Sequence, residues 1–294
     1  MLDEVLAEAP PIPTPGIYRD VPASDYHDRA KWPFYSRSDL SLVLRSPAHW
    51  KAAQDNPPEP TPAMRFGTLC HTVVLEPDRL WIENVVPPKW DARKPEGKKI
   101  RDAFQAEQEA NPRNIVTDAD VERAQRIAEA VWKDEYTRHV LGLGEREVSY
   151  VWQHPPTGLT CRCRTDVVAG DCNLLADFKT AADAQPEAFS KAIYNNGLHR
   201  QAAWYLDGVN AAHGETVVDR FLFVVAEKEP PFACGVYVLD KEDIERGRVQ
   251  NEAAIRKLAY CLENDEWPGY ANNITPIGIP RWARRELDKG LPHN

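Results

Sequence analysis

The sequence lacks the features that mark several common classes of protein. No two cysteines are spaced as Cys-x-x-Cys, so a zinc site is not predicted. The longest apolar run covers only residues 221–226, which is too short to cross a bilayer and fits a buried strand. The first residues are acidic and then proline-rich, without the basic start and apolar stretch of a signal peptide. We therefore expect a cytoplasmic protein with reduced cysteines and no association with membranes.

The composition supports a folded protein but does not reveal its substrate. The chain has 294 residues, 43% of them hydrophobic, with 9 Trp, 10 Tyr and 8 Phe, which is enough for a substantial buried core. Its formal net charge is −9, which argues against a protein that coats DNA without sequence preference. A local basic channel can coexist with an acidic exterior, so an enzyme acting on DNA is not excluded.

The order of the predicted elements indicates an α/β protein. Residues 1–35 contain many prolines and little periodicity, and we predict an extended arm there. Residues 36–294 are predicted to form one domain. Its predicted parts are a helical region over 36–145, an α/β core over 146–270 and a C-terminal tail over 271–294.

A change of periodicity supports this division. The helical region has a period near 3.6 residues, which predicts helices over 38–50 and 64–75, with Ser38 as the N-cap of the first. Two more helices follow a polar loop over 87–99, and the second begins at Thr117, with Asp120 in a capping-box arrangement. The core region contains segments typical of strands, separated by turn residues. The predicted strands cover 148–153, 160–168, 173–179, 220–226 and 233–239. A helical stretch over 186–210 is predicted to be interrupted near residues 195–197, and a further helix covers 240–264. This order predicts a mixed sheet.

One predicted hairpin brings acidic and basic residues together. Side chains alternate between the two faces of a strand, so Arg164 and Asp166 share a face, as do Asp177 and Lys179. Phe178 points the other way, into the core. A tight turn between the strands would place Asp166 opposite Asp177. The sequence therefore predicts two carboxylates and a lysine on one patch.

This patch has the chemistry of a metal-dependent phosphodiesterase. Two close carboxylates repel each other unless a cation lies between them, and Mg²⁺ or Mn²⁺ is the natural occupant of such an oxygen-rich site. The ion would polarise a phosphodiester and lower the pKa of a bound water, while the lysine stabilises charge on the phosphate. From the spacing alone, ordinary solvated strand residues are the simpler explanation.

Motifs around the hairpin resemble those of the PD-(D/E)XK nuclease superfamily, and in particular the phage recombination exonucleases of the exodeoxyribonuclease VIII type. The likeness extends over residues 18–285. The matching elements, in order, are SRSDLSLVLRSPAHW from Ser36, a Gly-x-x-x-His pair at Gly67 and His71, EREVSYVW with Glu147, CRCRTDVV followed by LLADFKT, and a Gln-x-x-x-Tyr pair at Gln201 and Tyr205.

The resemblance implies a fold, an activity and partners. The fold would be a restriction-endonuclease-like three-layer core with a mixed central sheet and a helical N-terminal region. The activity would be metal-dependent 5′→3′ digestion of linear duplex DNA in phage recombination, by a homo-oligomer that serves a single-strand annealing protein. A structure-specific endonuclease of the same superfamily and an inactive DNA-binding or scaffolding protein remain alternatives. The intact Asp166, Asp177 and Lys179 argue against an inactive protein.

The sequence departs from the family pattern at a few positions. Asp177 replaces the frequent glutamate, and Thr165 stands where proline is common. Some relatives hold an iron–sulfur cluster on one early and three late cysteines. Only Cys234 and Cys261 lie late in this chain, so we predict no iron–sulfur cluster.

The resemblance also implies roles for residues near the metal. Asp166, Asp177 and the backbone carbonyl of Phe178 would bind the ion, and Lys179 would position the attacking water. His71 would be a ligand or lie beside the ion, although a histidine on an apolar helix is often structural. Glu147 would complete the acidic shell, or be a surface charge at the start of a strand.

The remaining candidates would contact DNA. Gln201 and Tyr205, four residues apart on one helical face, would hold the DNA backbone or the lysine. Ser36, Arg37 and Ser38 would bind a terminal phosphate at a helix N-terminus; a plain capping role for Ser38 is equally compatible. Arg164 is a further candidate for a DNA contact. Basic residues in two clusters could also contact the phosphate backbone, although a solvated charged surface is the simpler explanation for them: Lys98, Lys99, Arg101, Arg281, Arg284 and Arg285.

Overall fold

A computed structural model describes residues 12–270, 274 and 276–288. The helices are α1 (Ala23–His27), α2 (Arg37–Arg45), α3 (Pro47–Asp55), α4 (Pro62–Leu75), α5 (Leu80–Glu83), α6 (Pro95–Ala110), α7 (Asp118–Lys133), α8 (Glu135–Leu141), α9 (Pro186–Asn195), α10 (Leu198–His213), α11 (Lys241–Asn264) and α12 (Arg281–Asp288). The strands are β1 (Gly16–Tyr18), β2 (Asn84–Val85), β3 (Asn114–Ile115), β4 (Glu145–Gln153), β5 (Thr160–Ala169), β6 (Leu174–Ala181), β7 (Arg220–Glu227) and β8 (Cys234–Val238).

Six strands form the central sheet in the order β1-β4-β5-β6-β7-β8. Strands β6 and β7 are parallel, and the other neighbours are antiparallel. The parallel pair needs a crossover connection, which α9 and α10 provide. The prediction of a mixed sheet is confirmed.

Helices cover both faces of this sheet and make a three-layer core. Helices α10 and α11, with α2 and α3, lie on one face, and α4, α7 and α8 lie on the other. Along β6 the buried side chains alternate, since Leu175 joins the first core while Ala176 and Phe178 join the second. The predicted three-layer α/β fold is therefore confirmed, and none of the helices in the described ranges could span a membrane.

The close approach of α10 to the sheet brings one of its side chains toward β6. Gly208 faces the ring of Trp152 on β4, where a Cβ atom would leave no room for the ring. A larger residue would lift the helix from the strands. Because Gly208 lies two turns after Gln201 on α10, this contact also places Gln201 close to β6.

Two predictions about the N-terminal region need correction. The helix predicted over 38–50 is two helices, α2 and α3, which separate at Ser46 because Pro47 cannot continue the preceding turn. Ser36, not Ser38, is the N-cap of α2.

The extended arm predicted over residues 1–35 is wrong for the part that is described. Residues 1–11 lie outside the described residues, as do 271–273, 275 and 289–294 of the predicted tail. Residues 12–35 contribute the edge strand β1 and helix α1. They also bury Tyr26, Trp32 and Phe34 in a small apolar cluster with Val151 of β4, which the local excess of proline does not reveal.

Candidate active site

The two predicted aspartates lie where strands β5 and β6 separate. The last ladder pair in this direction is Val167↔Ala176, and Asp166 and Asp177 are the next residues on the two strands. Beyond this pair, a hydrogen bond between a side chain and the backbone links the two strands: the backbone N–H of Phe178 donates to Asp166 Oδ2 at 2.7 Å. The predicted opposition of Asp166 and Asp177 is thus confirmed, at a point where the sheet opens.

Asp177 is held by two neighbours. Lys179 Nζ lies 2.6 Å from Asp177 Oδ2, and Gln201 Nε2 of α10 donates to Asp177 Oδ1 at 2.5 Å. The Phe178 side chain is fully buried on the other face of β6. The structure therefore brings Gln201 to the aspartate, whereas we expected it to contact DNA or the lysine.

On the other side of Asp166, two further residues complete a cluster of ligand atoms. One donor atom each from His71, Glu147 and Asp166 lie within 4.8 Å of one another, and His71 Nδ1 is 3.4 Å from Asp166 Oδ2. His71 comes from the middle of α4, which packs against β6. The cluster therefore joins an acid of β5 with side chains from two other elements.

Glu147 reaches this cluster through an unusual backbone. It lies opposite Asp166, between the ladder pairs Arg146↔Val167 and Val148↔Thr165, and its φ is +51°. A left-handed conformation is rare for a non-glycine residue inside a strand and costs free energy. The carboxylate of Glu147 thereby enters the site, where only 17% of its side chain is exposed.

Burial dominates the electrostatics of the site. It raises the pKa of Asp166 and of Asp177 to about 6, although the positive charge of Lys179 opposes the shift in both. Burial, and then the charge of Asp166, raises the pKa of Glu147 well above its usual value. Burial, and then Lys179, lowers the pKa of His71 to about 4. Burial therefore makes these carboxyl groups harder to ionise, and it keeps His71 neutral near pH 7.

Arg164 is occupied inside the protein. Its Nε donates to Ser149 Oγ at 2.9 Å and its Nη2 to the carbonyl of Val21 at 2.7 Å, and its guanidinium lies 4.4 Å from the centre of the Tyr26 ring. Arg164 Nε is also 4.0 Å from Glu147 Oε2. This position suits a residue that orients Glu147, and it gives no support to the predicted DNA contact.

A cavity of about 410 Å³ lies beside Gln201, the residue that contacts Asp177. Its lining includes Ser36, Arg37, Ser38, Arg162, Gln201 and Tyr205. Because Gln201 also touches Asp177, the cavity and the aspartates share a wall. The structure thus brings together the predicted α2 start and the Gln-x-x-x-Tyr pair, which are far apart in sequence.

The individual α2 residues are placed differently from the prediction. The Ser36 hydroxyl donates to Asp39 Oδ2 at 2.7 Å, and Ser38 is exposed. Arg37 Nη2 donates to the carbonyl oxygens of Asn196 and Gly197. The Tyr205 ring packs near Phe221, with 6.4 Å between centroids.

Comparisons with known proteins identify the family and the fold. The model of the PDDEXK-like domain of unknown function DUF3799 matches residues 36–277. The chain belongs to this PDDEXK-like family. A search of curated protein sequences gave no match.

A solved structure shares the fold. It is the crystal structure of a "Putative exonuclease" from Eubacterium rectale, 14% identical in sequence, with a TM-score of 0.57 over 93% of this chain and 100% of that chain. At this identity the likeness shows the fold alone. The family and the fold together support a nuclease.

Sequence reasoning missed two residues of this PDDEXK-like domain. Asp39 is buried and accepts hydrogen bonds from the Ser36 backbone and from Trp50 Nε1 at 2.9 Å; the Ser-x-x-Asp capping pattern could have revealed it. Arg162 is 4% exposed and donates to the carbonyl of Trp32 at 2.9 Å. The sequence signal for Arg162 is its position two residues before Arg164 on a predicted core strand.

Proposed function

We propose that this protein is a divalent-metal-dependent exodeoxyribonuclease that digests linear duplex DNA from a 5′-phosphorylated end. The observation that carries the nuclease activity is the convergence of Asp166, Asp177 and Lys179 where β5 and β6 separate. The family supports a nuclease; the exonucleolytic mode rests on the cavity beside these residues.

The side chains of the site fit a hard divalent cation. His71, Glu147 and Asp166 offer one nitrogen and carboxylate oxygens within 4.8 Å of one another, and the pKa values of the acids are raised chiefly because burial disfavours their charged forms. Carboxylate oxygens suit Mg²⁺ and Mn²⁺. Asp177 and the carbonyl of Phe178 are further proposed ligands, as the family resemblance implies. When bound, the ion polarises the phosphodiester and lowers the pKa of water.

The protein's own groups then have distinct roles. Lys179, held 2.6 Å from Asp177 Oδ2, orients water and donates to the phosphate oxygen on which negative charge develops. Gln201 fixes the Asp177 carboxylate from α10. Neutral His71 is available as a ligand because its pKa is lowered to about 4.

The cavity supports recognition of a DNA end. Arg37 and Arg162 line the cavity, and the Nε atom of each is buried without a hydrogen-bond partner among the residues that the structure describes. A buried donor without a partner costs free energy, and a terminal phosphate would supply oxygen acceptors to both arginines. Since Ser36 donates to Asp39, we assign the phosphate to the arginines rather than to the N-terminus of α2.

Three further proposals rest on the family resemblance. They are 5′→3′ polarity in phage recombination, assembly into a homo-oligomer, and cooperation with a single-strand annealing protein. Each has a direct measurement: product analysis with labelled ends, the mass of the protein in solution, and co-purification with such a partner.

Digestion of matched DNA substrates tests the proposed function. Labelled linear duplex with a 5′-phosphate should be degraded with Mg²⁺ and remain intact with EDTA. The 5′-hydroxyl form should be degraded more slowly, and covalently closed circles should resist. Arg37→Ala should reduce the preference for the 5′-phosphate while metal-dependent cleavage persists. Rapid cutting of closed circles would instead indicate an endonuclease.

A further inference from the structure

Residues 86–113, here called the arm, connect two short strands that lie side by side. The two-residue strands β2 and β3 at its root pair in parallel, Asn84 with Asn114 and Val85 with Ile115. Asn114 Nδ2 also donates to Asn84 Oδ1 at 2.8 Å. Between the two strands the arm contains α6, whose 16 residues span about 24 Å.

Helix α6 packs against its own leading segment. Its buried residues are Gly97 and Phe104. A Cβ atom at Gly97 would overlap the backbone of Asp91, and the Phe104 ring lies 6.0 Å from that of Trp90. Most other α6 side chains are exposed, so the helix presents most of its circumference to solvent.

The first half of the arm is basic, although the whole chain has a net charge of −9. Residues 89–102 contain six basic and three acidic side chains: Lys89, Arg93, Lys94, Lys98, Lys99 and Arg101, against Asp91, Glu96 and Asp102. Arg101 is paired with Asp102. None of the four lysines forms an ion pair within the described part of the chain, so their charge is available to an external polyanion.

The root of the arm lies beside the candidate metal site. Strand β2 directly follows Glu83, the last residue of α5. Glu83 Oε2 accepts from the hydroxyl of Thr72 at 3.3 Å, and Thr72 is the neighbour of His71 on α4. Helix α6 begins at Pro95, ten residues after the end of β2, and its basic residues lie in its first two turns. The cations of the arm are therefore concentrated in the segment that leads from the root into α6.

We propose that this arm binds the phosphate backbone of duplex DNA through Lys94, Lys98 and Lys99, and so holds the substrate at the active site. The proposal rests on the proposed function, because it takes DNA as the substrate. The unpaired cations favour duplex DNA as the ligand of the arm. The regularly spaced phosphates of DNA attract a basic surface, and counterions are released from the DNA when it binds.

Binding of a 30-base-pair duplex in EDTA, where no cleavage occurs, tests the arm. The Lys98→Ala/Lys99→Ala variant should bind at least about fivefold more weakly, and the dependence of log K on log[NaCl] should fall by about one for each lysine removed. The matched control is Lys133→Ala/Lys257→Ala, which removes two other exposed helical lysines and should bind like the wild type. Lys98→Arg/Lys99→Arg should retain affinity.

Hydrolysis of a small substrate separates this proposal from the proposed function. Thymidine 5′-(p-nitrophenyl phosphate) is too short to reach the arm, so the wild type and the arm variant should hydrolyse it at equal rates. Failure of the wild type to hydrolyse linear duplex DNA with Mg²⁺ overturns the proposed function. Unchanged affinity and salt dependence in the arm variant, or equal losses in the control pair, overturn the role of the arm.

Discussion

The replacement Asp177→Asn should make the metal-free protein more stable at high pH while abolishing its activity. The Asp177 side chain is 2% exposed, and burial is the largest cause that raises its pKa from 3.8 to about 6. A raised acid pKa means that the folded state binds the proton more tightly than the unfolded state. Its contribution to stability is therefore fully present below pH 3.8 and is lost as the pH rises through about 6.

The size of the change in stability follows from the shift in the pKa of Asp177. A shift of about two units corresponds to about 3 kcal/mol, so ionised Asp177 should destabilise the metal-free fold by that order at pH 8. The asparagine of the variant keeps an oxygen for Gln201 and carries no charge to desolvate. The difference in unfolding free energy between the variant and the wild type should thus increase by about 3 kcal/mol between pH 4 and pH 8.

Urea unfolding in EDTA at pH 4 and pH 8 measures this difference. The comparison of two proteins at each pH cancels the titration of the other carboxylates. Added Mg²⁺ should stabilise the wild type, by about 2.7 kcal/mol at a hundredfold excess over the dissociation constant, and stabilise the variant less, because one proposed ligand is lost. If Asp177→Asn is less stable than the wild type at pH 8, the carboxylate is a structural group and the reasoning fails.

Three other replacements test separate parts of the site. Lys179→Ala should lower the single-turnover rate at least about a thousandfold with little change in DNA affinity, since its role is in the transition state; equal losses would make it a simple phosphate contact. Arg164→Ala should weaken metal binding about tenfold or more, measured by calorimetry, because the residue orients Glu147; unchanged affinity would contradict that role. Gly144→Ala should destabilise the fold by more than about 1 kcal/mol in urea unfolding, because φ is +62° and a Cβ atom would overlap the backbone of Val168; equal stability would show that the turn adapts.

The sequence by itself determined the elements that local chemistry controls. Alternation along β5 and β6 predicted that Asp166 would face Asp177 and that Phe178 would point into the opposite core. The capping pair Thr117 and Asp120 predicted the start of α7. These predictions succeeded because side-chain period and capping depend on residues close together in the chain.

The tertiary structure decided which distant side chains meet the hairpin. The contact of Gln201 with Asp177 depends on how closely α10 lies on the sheet, and the position of Glu147 depends on a left-handed residue inside β4. Residues 12–35 lie before the segment matched by the family, yet Val21 and Tyr26 hold Arg164 beside Glu147. Burial then set the pKa values of the acids. No local sequence pattern predicts these contacts or these pKa values, because desolvation and long-range contacts arise only when the layers of the fold pack together.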